Sequence, residues 1–162
     1  MTLRLSKALA VLAMALLASL VTFNNITDYS TNFVFVQHVF MMDTRPPENA
    51  LAYRAITSPL VHHAGYVAII ALELLTALLC TIGGVRMLRS LRSARAAFRN
   101  AKQFAIAGLS LGFLTWQVIF MSVAGEWFAM WMSETWNASQ SAFRFHITLL
   151  AVLIYVALPN DA

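Results

Sequence analysis

The chain has 162 residues, of which 60% are hydrophobic and 11% charged, with a formal net charge of +4 at pH 7. Soluble domains carry roughly 25% charged residues, so a water-facing surface of this size is excluded and the composition fits one membrane-embedded domain. The basic excess does not point to nucleic acid: six of the eleven Lys and Arg residues fall in one short segment between apolar runs, with no aromatic-interleaved basic groove and no nucleic-acid motif.

Four apolar runs, at 8–23, 64–85, 104–124 and 142–158, organise the chain. A spanning helix needs about 20 apolar residues at about 1.5 Å rise each. The expected fold is therefore an all-α, four-helix transmembrane bundle forming a single domain over 1–162, with helices at about 8–23, 59–88, 103–124 and 138–158. Arg4 and Lys7 precede the first run as they would in a signal peptide. However, Val21-Thr22-Phe23-Asn24 is no small-x-small cleavage site, so the first helix is expected to be retained.

The first loop, 24–58, is long and contains an apolar stretch at 33–42 that is too short to span. Phe33, Val36, Gln37, Phe40 and Met41 share one helical face, which suits a helix lying in the membrane interface. The β-branched and aromatic content also permits a strand. The second helix is announced by Ser58 as N-cap and Pro59 at its first position.

Within the second run, Glu73 is placed near the bilayer middle, where a carboxylate costs a few kcal/mol or more unless it is protonated, paired or hydrated. It is the first intramembrane polar candidate, either for function or for a hydrogen bond that locks helix packing. Cys80, the single cysteine, lies in the same run. It can form neither an internal disulfide nor a Cys-based metal site, and reads as a small buried hydrophobe.

The segment 86–102 alternates Arg86, Arg89, Arg92, Arg95, Arg99 and Lys102 with Leu88, Leu91, Ala94 and Phe98. That spacing predicts an amphipathic helical continuation whose basic residues meet anionic lipid headgroups. On the third helix, Gly108 and Gly112 stand in G-x-x-x-G register, a pattern for close packing within the bundle or for homo-oligomerisation. The loop 125–136 holds Trp127, Phe128, Trp131 and Trp136, either an aromatic belt at headgroup level or a surface for another membrane subunit.

Asn137 followed by Gln140 resembles a capping box and starts the fourth helix near Ala138. Arg144 and His146 then lie inside that helix, with Gln117 at similar depth on the third. Arg144 cannot shed its charge, and Glu126 is its nearest expected partner by depth. Lys and Arg asymmetry places both termini and the basic segment inside, leaving Arg45 and Arg54 as the loop cations of the other side.

The patterns Asn25-Ile26-Thr27-Asp28-Tyr29, Val36-Gln37-His38-Val39 with Met42-Asp43, Arg54-Ala55-Ile56-Thr57, Glu126-Trp127-Phe128-Ala129-Met130-Trp131 and Trp136-Asn137 are similar to those of a bacterial family of predicted small integral membrane proteins. The resemblance covers nearly the whole chain. It implies an inner-membrane protein of four helices with no assigned function, and it supplies no catalytic residues.

No phosphate loop, nucleophile elbow or paired-carboxylate spacing is present, and no cofactor is predicted. The expected function is a non-catalytic small subunit or assembly partner of a larger bacterial inner-membrane complex, touching membrane lipids and another membrane protein but no nucleic acid. The alternative is a redox protein holding haem or metal through His62, His63 and His146, or a metal through His38 with Asp43. A weaker third reading is a small carrier with Glu73 as its proton-linked site.

Overall fold

A computed structural model describes residues 1–46, 48 and 50–161, and all regular structure among them is helical. Six α-helices run Thr2–Thr27 (α1), Tyr29–Met41 (α2), Pro59–Arg89 (α3), Arg95–Ala101 (α4), Gln103–Leu114 (α5) and Ser139–Ala157 (α6). A π-helical stretch, Thr115–Trp127, continues α5, and single 3-10 turns lie at Ala50–Arg54 and Met130–Met132. Thr2–Thr27, Pro59–Arg89, Arg95–Trp127 and Ser139–Ala157 are each long and apolar enough to cross a bilayer.

Helix satisfies every backbone N–H and C=O within one segment, which is what a hydrocarbon solvent demands. The outer surface of the bundle has the matching composition. Leu16, Leu20, Phe23, Leu78 and Ile154 are all at least half exposed, a distribution that water would penalise and lipid tails would not. α1 packs along α3, α3 along α5, α5 and its π-helical continuation along α6, and α6 closes back onto α1.

Small residues set how closely the helices meet. A Cβ on Gly83 would lie 2.3 Å from the backbone nitrogen of Ala105, and one on Gly108 would lie 2.8 Å from the nitrogen of Cys80. Gly112 meets Thr76 on the same seam. Without a hydrophobic drive between helices in lipid, such close backbone approach supplies the packing. Gly108 and Gly112 thus face α3 inside the bundle, the packing use of the two that their register allows.

α2 resolves the ambiguity at 33–42 as helix, not strand. It packs against the N-terminal part of α3. Tyr29 meets Tyr66 at 4.8 Å between ring centroids, Phe33 meets His63 at 4.0 Å and Phe40 meets His62 at 5.4 Å. The loop elements collect here as well, with Phe40 against Phe128 at 5.0 Å and His38 against Trp136 at 4.7 Å. We call this the aromatic end of the bundle, and the opposite one the basic end.

Several local expectations need correction. Ser58 does precede α3 and Pro59 opens it, but the serine hydroxyl makes no capping bond. Asn137 lies one residue before the N-cap of α6, Ala138; its Oδ1 accepts the Ser139 N–H at 3.0 Å, but the helix has no side-chain cap and Gln140 makes no return bond among the described residues. The basic segment is not one amphipathic helix. α3 ends at Arg89, the chain turns through Ser90–Ser93, and α4 begins at Arg95.

Candidate functional site

Glu73 lies midway along α3, about 21 Å from Pro59, and is 5% exposed. Its Oε2 accepts a hydrogen bond from Asn25 Nδ2 at 2.7 Å. Asn25 in turn accepts from the Tyr66 hydroxyl, at its main-chain oxygen (3.1 Å) and at Oδ1 (3.2 Å). In this arrangement the Asn25 NH2 group faces Glu73 and its Oδ1 faces Tyr66, so the carboxyl is the acceptor. Asn25 reaches this position because α1 continues four residues past the apolar run, to Thr27.

Two spaces adjoin this group. One, of about 200 Å³, is lined by Val21, Asn25, Asn32, Phe35, Val36, Tyr66, Ile69, Glu73, Trp116, Phe120, Ala138 and Ser141. Ser141 is exposed, so this cavity reaches the surface at the aromatic end. The second, of about 20 Å³, lies deeper, between Glu73, Thr76, Gly112, Trp116 and Leu149. That is room for about one water molecule. Trp116 borders both spaces, stacked on Phe120 at 4.3 Å and on Phe145 at 4.4 Å. Trp116 and Phe120 sit on the π-helical stretch, where Phe128 N–H reaches back five residues to Val123 O at 3.0 Å. π-helical turns are rare and concentrate at functional sites.

The basic end holds a second polar cluster. Lys7 Nζ donates to Asp161 Oδ1 at 2.9 Å and to the carbonyls of Leu158 and Asn160. Lys102 Nζ lies 2.8 Å from Asp161 Oδ2 and donates to the carbonyls of Val156 and Leu158. Arg4 donates from Nε to Asp161 O at 2.9 Å, and from one terminal nitrogen to Leu91 O and Ser93 O. Burial pushes the Asp161 carboxyl up, but hydrogen bonds and charge from Lys102 and Lys7 outweigh it and hold the group below the usual carboxylate range. The lysines also satisfy the carbonyls that α6 leaves unpaired at its end. Lys102 is therefore an internal clamp and not the headgroup contact expected of it. Arg86, Arg89, Arg92, Arg95 and Arg99 remain exposed.

The remaining candidates disperse. Arg144 is exposed on α6 and, among the described residues, makes no ion pair. The expected bond to Glu126 is not formed, and Glu126 is itself exposed. His146 is buried beside Phe113 and Phe143, its Nδ1 without a partner. Gln117 is half-buried on the π-helical stretch. Trp127 and Trp131 are exposed at 51% and 53%, with Arg54 over the Trp127 ring at 4.7 Å. Phe128 is buried and Trp136 is stacked on His38, so those two serve internal packing.

The histidines do not converge. His62 is buried, its Nε2 2.7 Å from Ile56 O, while His63 points to the Tyr29 hydroxyl at 2.8 Å. His38 pairs with Asp43 at 2.9 Å. No group of three or more metal-ligating side chains occurs among the described residues. Asn25, Tyr66, Lys7 and Asp161 are the site residues that sequence reasoning missed.

No curated protein and no solved structure matches the chain. Residues 3–159 match a family described as predicted small integral membrane protein (DUF2165). With that match over nearly its whole length and four helices able to span, the chain belongs to this family of small integral membrane proteins and is a multi-pass membrane protein.

Proposed function

We propose that the protein is a non-catalytic subunit of a bacterial inner-membrane complex, held to its partner through the outward face of α6. The observation that carries this reading is Arg144. Gln140, Arg144 and Thr148 recur every four residues on one face of a spanning helix, and all three are exposed. Thr148 returns its hydroxyl to Arg144 O at 2.7 Å, which leaves the Arg144 guanidinium and the Gln140 amide without protein partners among the described residues. A charge facing lipid costs a few kcal/mol. A carboxylate on a neighbouring spanning helix offsets that cost through a paired fork of hydrogen bonds. Across a two-fold interface on this face a second copy would bring Arg144 against Arg144, so the partner is a different protein.

In this reading the basic end faces the cytoplasm, following the distribution of Lys and Arg. α2 and the tryptophan loop then lie at the outer interface, where exposed Trp127 and Trp131 suit the headgroup region or a partner. The test is a photo-crosslinking residue placed at Ala151, which is exposed on α6, in cells of the native host. A single discrete protein adduct, lost on Arg144→Leu, supports the subunit reading. Adducts to lipid alone, or to a second copy of the chain, refute it.

A further inference from the structure

We propose that the cavity ending on Glu73 is a binding site for an organic cation: a primary ammonium of single charge carrying an apolar body. Four observations converge on that chemistry. Glu73 is the one charged residue among those lining the cavity, and no Lys, Arg or His lines it. Its Oε2 is engaged by Asn25, while Oε1 carries no hydrogen bond among the described residues, so one acceptor remains for a donor inside the cavity. Phe35, Tyr66, Trp116 and Phe120 contribute aromatic rings to the wall, and ring faces attract ammonium groups. Finally, a volume of about 200 Å³ is far more than proton uptake by a carboxyl requires.

The alternatives fit less well. A hard metal ion takes six or more oxygen ligands, whereas this wall is mostly hydrocarbon with one carboxylate. An anion would meet Glu73 with like charge. A neutral donor of the same shape could hydrogen-bond Oε1 but would lack the charge attraction that a water-poor cavity strengthens. Arg144 does not line the cavity and is exposed elsewhere on α6, so it does not neutralise Glu73 from within. This inference rests on other residues than the partner face of α6 and stands whether or not a partner is found there.

The experiment is calorimetric titration of the full chain in lipid nanodiscs with phenethylammonium and with its neutral counterpart 2-phenylethanol, each corrected by titration into empty nanodiscs. The expected result is saturable binding of the cation at least about tenfold tighter than of the alcohol, since the ammonium adds charge attraction to the hydrogen bond that either donor can make. Glu73→Gln keeps a carbonyl oxygen for Asn25, and should abolish the preference by weakening the cation much more than the alcohol, whose hydroxyl can still donate to an amide oxygen. Trp116→Leu should weaken both. Equal binding of the two compounds to the unaltered protein, absence of saturable cation binding, or a preference that survives Glu73→Gln overturns the proposal. The first two outcomes need no variant and hold even if Glu73→Gln folds poorly.

Discussion

Replacing Asp161 by Asn removes one negative charge from the midst of two lysines that are 1% and 2% exposed. The change is nearly isosteric, so its effect is electrostatic. Breaking a buried ion pair by removing one partner generally costs about 3–5 kcal/mol, because the other charge is left buried. Here Lys7 retains the carbonyls of Leu158 and Asn160, and Lys102 those of Val156 and Leu158. The lower end, about 3 kcal/mol, is therefore expected. For a chain of this size that corresponds to a fall in Tm of roughly 6–12 °C, read by circular dichroism in one detergent at pH 7. In a Lys7→Met/Lys102→Met background the carboxylate is itself the orphan, and Asp161→Asn should there be neutral or stabilising. A loss below about 2 °C in the unaltered chain, or the same loss in both backgrounds, refutes the clamp.

The pH dependence follows from the same geometry. The folded carboxyl of Asp161 titrates below its ordinary value, and an unfolded aspartate titrates near about 3.9. The stabilisation is thus fully present above that ordinary value and is lost as pH falls through the lower folded one. Melting temperature should be level from neutrality to about pH 5 and drop below about pH 4, with a shallower drop in Asp161→Asn.

Gly83→Ala should lower stability by about 2 kcal/mol or more, because the new Cβ meets Ala105 backbone at 2.3 Å. Gly65→Ala should cost less, since its nearest neighbour is the Phe40 ring at 2.9 Å, which can swing; thermal melts of the pair would expose an error if the order reversed. Cys80 is 0% exposed and should resist maleimide until the protein is denatured. On that silent background, a membrane-impermeant maleimide should label Tyr53→Cys and not Ser93→Cys in spheroplasts, and the opposite pattern would invert the proposed orientation.

The four spans were legible because hydrocarbon imposes one rule on every stretch of chain: about 20 consecutive apolar residues with all backbone bonds internal. Features that depend on distant partners were not. Arg4 and Lys7 read locally as a polar flank, yet they are buried by contacts with Asp161, more than 150 residues away. The helix therefore begins at Thr2, well before its apolar run. Lys102 read as one more headgroup contact because its spacing continued that of the arginines, and only the folded chain shows that α6 ends above it. Glu73 was visible as an anomaly in an apolar run. Asn25 was not, since an asparagine beyond a hydrophobic stretch looks like a loop residue until α1 is seen to continue past it.

The two polar clusters differ in one respect that bears on function. At the basic end the three buried cations Arg4, Lys7 and Lys102 each find acceptors, Asp161 is gripped from both of its carboxyl oxygens, and α1, the junction of α4 and α5 and the segment after α6 are tied together. A fully satisfied buried network rigidifies the structure. At the aromatic half Glu73 is only half engaged, His146 has an unpartnered nitrogen, and Arg144 stands on the outside with no pair among the described residues. Polar groups left incomplete in a membrane interior are costly. Both sites proposed for binding, the Glu73 cavity and the Arg144 face of α6, fall in the half whose polar groups remain incomplete.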